Sequence, residues 1–74
     1  MIIRKLTIGP DYLNAMHYQV GNKVFNHHII SNIYSNSIGY EIYIKDVESN
    51  EIKIWKHINK SVPVTVEYDL HGYS

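Results

Sequence analysis

The sequence predicts a mainly β fold: a small antiparallel barrel of the SH3-like or OB-like kind, or a highly curved sheet, of about five or six strands. Three observations carry this. Apolar and polar residues alternate strictly over Tyr40–Lys45 and again over Glu51–His57, the period of two that a half-buried strand needs. Turn-forming clusters recur about every ten residues. The segments between them, such as Ile2–Ile8 and Val62–Tyr68, are rich in β-branched and aromatic side chains.

Residues 2–8 read as the first strand, with Leu6 and Ile8 inward, ended by Gly9-Pro10-Asp11. Residues 11–16 read as a short helical turn, with Pro10 in its first turn, followed by a strand from about Met16. Gly21-Asn22 is a turn. Lys23–Tyr34 is apolar but irregular, and the slip near His27-His28 predicts a bulge or a break into two shorter strands. Ser35-Asn36-Ser37 is a loop, and Gly39 leads into a hairpin that spans residues 40–57.

In that hairpin Ile42 and Ile44 share a face with Ile52, Ile54 and Ile58. The favoured register pairs Ile44 with Ile52 across a five-residue break, Asp46–Asn50. The alternative pairs Ile44 with Ile54 but sets Lys45 against Lys53, and like charges directly opposite destabilise. A slip of one residue is excluded on this reading, because it sends one row of isoleucines to water. Asn59-Lys60-Ser61 is the next turn. In the last strand Val62, Val64, Val66 and Tyr68 face inward, and Pro63 marks a sheet edge or a strand start. One domain over residues 1–70 is expected, with 71–74 as a loose tail.

At 74 residues a chain buries only about 60% of its unfolded surface. There is no cysteine, hence no disulfide and no thiolate. Oligomerisation is the remaining common support for so small a core. The net charge is zero, from seven basic and seven acidic residues, which argues against a chain that mainly grips phosphate polymers. No apolar run is long enough to span a membrane. Met1–Lys5 lacks the apolar core of a signal peptide, so a cytoplasmic setting is expected.

Five histidines are present. His27 and His28 are adjacent and would point to opposite faces of a strand, so they do not chelate together, and no metal site or cofactor is expected. No nucleophile elbow or Gly-rich phosphate loop occurs, and the paired carboxylates sit in loops. The expectation is therefore a binding protein and not an enzyme.

The candidate partner face is Tyr43, Lys45, Lys53, Trp55 and His57, since exposed Tyr and Trp ringed by charge dominate interface hot spots. The plainer alternative is a Trp55 covered by another segment of the chain. Val62, Pro63 and Val64 form a candidate edge for a homodimer, because a bare edge pairs readily with another chain. Single-stranded nucleic acid or a nucleotide is the second reading, through Trp55 and Tyr43 with Lys45, Lys53 and Lys56.

The run from Arg4 to Gly21, with Trp55-Lys56 and Val66-Glu67-Tyr68, resembles the small accessory (early) proteins of T4-like phages. That resemblance implies an early protein that binds and redirects a host protein in host takeover or counter-defence. It carries over no catalytic or binding residue.

Overall fold

The computed structural model describes residues 2–9 and 16–69, and over them the chain is all-β. The strands are β1 (Ile2–Ile8), β2 (Met16–Gln19), β3 (Lys23–Phe25), β4 (His28–Asn36), β5 (Gly39–Asp46), β6 (Ile52–Asn59) and β7 (Val64–Asp69). They form two antiparallel sheets, ordered β2-β1-β7 and β3-β4-β5-β6, the second curled into a half-barrel. Seven strands replace the expected five or six. The extra count comes from the Lys23–Tyr34 stretch, which the Asn26-His27 turn breaks into β3 and β4 as its sequence predicts. The strand from Met16 is present. The helical turn expected at 11–16 falls mainly outside the described residues, as does the 71–74 tail.

The core lies between the sheets. Leu6, Ile30, Ile42 and Ile44 are its fully buried side chains, joined by Ile3, Tyr18, Ile33 and Ile58. Ile8, Val62, Val64 and Val66 pack against it as expected. Tyr68 stands opposite buried Ile3, on the side of β7 that carries Val64 and Val66, but at the end of the ladder it remains 45% exposed and lines a cleft with Ile2 and Ile3. Pro63 immediately precedes β7, an edge strand of its sheet.

The hairpin β5-β6 departs from expectation in register. Asp46 and Glu51 close a loop of residues 47–50 through Asp46 N–H to the Glu51 carbonyl (2.8 Å). The Asp46 carboxylate accepts from the N–H groups of Glu48 (2.9 Å) and Ser49 (3.4 Å). Asn50 takes the left-handed conformation, φ 64°, which asparagine tolerates. This turn is one residue shorter than the break expected from composition, so Lys45 pairs with Ile52 and Ile44 with Lys53. That is the one-residue slip the alternation argument excludes, and its consequence is observed: Ile52 is 56% and Ile54 48% exposed.

A bulge then restores the inward face. Tyr43 pairs with Ile54 but Ile42 pairs with Lys56, which leaves Trp55 as the extra residue. Beyond it Ile58 returns to the core, and Trp55 itself turns inward. Its ring meets Tyr18 of β2 (centroids 5.7 Å apart, 80° between planes) and Phe25 of β3 (5.7 Å, 76°). Phe25 and Trp55 stand on the two edge strands of the curled sheet, so their contact holds the curl together. Edge-to-face pairs of this kind add about 0.5–1.5 kcal/mol each beyond area burial.

At the other end, Gly39 has φ 153°, and a Cβ there would strike the Ile58 carbonyl oxygen. The Asn36 side chain accepts from the N–H groups of Ile38 (3.0 Å) and Gly39 (2.9 Å), tightening β4-β5 to a two-residue turn where a longer loop was expected.

Two substitutions separate this register from simple alternation. Trp55→Ala should cost about 2–4 kcal/mol in urea denaturation, the lower part of the range for a large aromatic because Trp55 is only half-buried. Ile54→Ser, on the solvent side, should stay within about 0.5–1 kcal/mol of the parent. The opposite order of costs would exclude the bulge.

Candidate functional site

Direct partners across a ladder share a face, so the pairings lay out the outer side of β4-β5-β6 as three cross-strand rows. They are Ile29–Lys45–Ile52, Asn32–Tyr43–Ile54 and Tyr34–Glu41–His57. Tyr34 is 53% exposed, and its ring meets that of Tyr43 at 5.4 Å and 78°. The Tyr43 hydroxyl donates to Glu41 Oε1 at 3.4 Å. The Glu41 charge, before burial, raises the Tyr43 pKa above its ordinary value, so the hydroxyl stays protonated and able to donate. The face thus holds a central apolar and aromatic band with Lys45, Glu41 and His57 around it.

Of the residues singled out in the sequence, this face contains Tyr43, Lys45 and His57. It does not contain Trp55 or Lys53, because the shortened turn and the bulge place both on the opposite side of β6. Trp55 is covered by Tyr18 and Phe25, the plainer of the two alternatives, and the Lys56 ammonium sits 4.9 Å from its ring centroid. Sequence alternation missed Tyr34, Ile52 and Ile54. One signal for them was present: the row Ile52, Ile54, Lys56, Ile58 has a lysine in a position that a continuous inward row would bury.

A cleft of about 410 Å³ opens between β1 and β4, lined by Ile2, Tyr34 and Tyr68 together with Ser31, Asn32 and Ser35. It holds no charged side chain among the described residues, and Tyr34 belongs both to it and to the outer face.

The β3-β4 turn and the β5-β6 loop meet in a third cluster. The Val47 N–H donates to the His27 carbonyl at 2.8 Å. His27 Nδ1 lies 3.6 Å from Glu48 Oε1, and His28 Nε2 lies 4.0 Å from Asp46 Oδ2. No group of three or more metal-ligating side chains converges among the described residues. No helix among them is long and apolar enough to cross a membrane.

No protein-family model, curated protein or solved structure matches this chain.

The Asp46 pKa is lowered from 3.8, first by the Glu48 N–H and then by that of Ser49 and the nearby His28 and His27, with burial opposing. A depressed carboxylate stabilises the fold at pH above its unfolded value and loses that contribution as pH falls through its folded value. Between pH 5 and pH 2 the parent should therefore lose more stability than Asp46→Asn. Thermal melts across that range check it, and parallel pH profiles would contradict the turn geometry.

Proposed function

We propose that this chain is a non-catalytic binding protein that acts through protein–protein contacts, with the outer face of β4-β5-β6 as its docking surface. The observation that carries this is the exposed band of Tyr34, Ile52 and Ile54 beside Tyr43. Three large apolar side chains left half in water on one sheet face are an apolar patch of the kind that marks interaction sites. Tyrosine at the centre of such a patch supplies contact area and a polar handle together.

The charges around the band favour a protein over a phosphate polymer. Lys45 and Glu41 are of opposite sign and the face has no cationic stripe, whereas nucleic-acid grooves concentrate Lys and Arg. Trp55, the residue best suited to stack a base, has its ring edged by Tyr18 and Phe25 with Lys56 over it. The resemblance to early proteins of T4-like phages supports, as part of this proposal, a host protein as the partner, engaged in host takeover or counter-defence in the bacterial cytoplasm.

The test is affinity capture from host lysate, followed by binding of the purified captured protein to variants. Ile54→Asp and Tyr34→Ala should each weaken binding at least tenfold, about 1.4 kcal/mol, while Thr65→Ala on β7 leaves it unchanged. Capture of no stoichiometric protein, or a partner indifferent to both face variants, would contradict the proposal.

A further inference from the structure

Among the described residues four strands end a sheet: β2 and β7 in one, β3 and β6 in the other. β2 has four residues and β3 has three, with an irregular pairing. β6 is distorted by its bulge and carries Lys53 and Lys56, devices that discourage edge pairing. β7 has six residues and no extra residue of its own, since the irregularity opposite it belongs to β1.

The hydrogen bonds fix which β7 groups point outward. Gly9 N–H donates to the Pro63 carbonyl at 3.1 Å, and the same register continues as Thr7 with Thr65 and Lys5 with Glu67. In an antiparallel ladder a residue's N–H and C=O point the same way and alternate along the strand. Pro63, Thr65 and Glu67 therefore face β1, while Val64, Val66 and Tyr68 present their N–H and C=O groups at the bare edge. The donor that proline lacks is on the β1 side, so Pro63 leaves the outer edge intact. No strand among the described residues pairs with that edge.

We propose that β7 pairs with β7 of a second copy of this chain, antiparallel, with Val66 opposite Val66 about a two-fold axis. That register sets Val64 opposite Tyr68 and joins every outward group named above, in six hydrogen bonds across three residue pairs. Both copies keep their core-facing side chains on one side, as a two-fold axis normal to the sheet requires. The charges fit self-pairing as well. Glu67 stands opposite Thr65 of the second copy and not opposite another Glu67, and its carboxylate is held within its own chain by Arg4 (3.1 Å) and Lys5 (3.9 Å). The result is a six-stranded sheet, β2-β1-β7 continued by its symmetry mate, which deepens the early expectation of a homodimer at Val62, Pro63 and Val64 by moving its centre to Val66. This surface is separate from the β4-β5-β6 face, so either assignment can fail alone.

Sedimentation velocity of the full chain over a range of concentrations tests it. The expected species has about twice the 8.7 kDa chain mass. Val66→Pro, which removes one outward N–H, should shift the chain to monomer, and Ile54→Ser should leave the dimer unchanged. Hydrogen exchange of the parent gives a second readout that needs no variant: the amides of Val64, Val66 and Tyr68 should slow at least tenfold as concentration rises through dimerisation. Three results would overturn the proposal: a monomer at every concentration, a folded Val66→Pro dimer, or outward amides that exchange equally fast in dimer and monomer. A chain that stays monomeric alone and protects those amides only with a different protein would assign the edge to that protein instead.

Discussion

The contact of Trp55 with Tyr18 and Phe25 is the constraint from which the rest of this architecture follows. A four-stranded sheet whose strands have three, nine, eight and eight residues does not close a core by itself. Here its two edge strands are brought together by one ring from β6 and one from β3, and the second sheet contributes the third ring through β2. Seating Trp55 there requires an extra residue in β6. The shortened turn has set Ile52 and Ile54 on the outer side, beside Lys45 and Tyr43, and the extra residue turns Trp55 inward and returns Ile58 to the core.

Trp55, though only half-buried, makes two edge-to-face contacts that link β6 to β2 and β3. The marginal core of a short chain is strengthened where it is weakest, at the open side of a half-barrel. The exposed isoleucines lie on one face beside two tyrosines, the face proposed above as a docking surface. β6 and β7 each end a sheet, with no further strand beside them among the described residues.

Much of the fold was legible in the sequence, and what was not has a physical cause. Alternation identified β1 with Leu6 and Ile8 inward. The disturbed pattern at His27-His28 marked the break between β3 and β4, and Pro63 marked an edge and a strand start. Local signals determine each of these. The face of β6 depends on two features that alternation does not encode. The first is the turn: Asp46 accepts two N–H groups and Asn50 adopts a left-handed conformation, which shortens the loop by one residue and inverts the register. The second is the bulge, since an inserted residue leaves the periodicity of the letters unchanged while reversing the side chains beyond it. The candidate site was therefore only partly legible. Tyr43, Lys45 and His57 do share one outer face, and Trp55 and Lys53 do not join them, because the error lies on one strand alone.

The most direct test of the Trp55 arrangement is a nuclear Overhauser spectrum of the isotopically labelled chain in solution. The bulged register places the Trp55 indole protons within reach of the Tyr18 and Phe25 rings, and cross-strand contacts run from Tyr43 to Ile54 and from Lys45 to Ile52. Contacts from Ile44 to Ile52, with an indole showing no contact to Tyr18 or Phe25, would mean that the isoleucine rows face each other and that the account of both the core and the outer face is wrong.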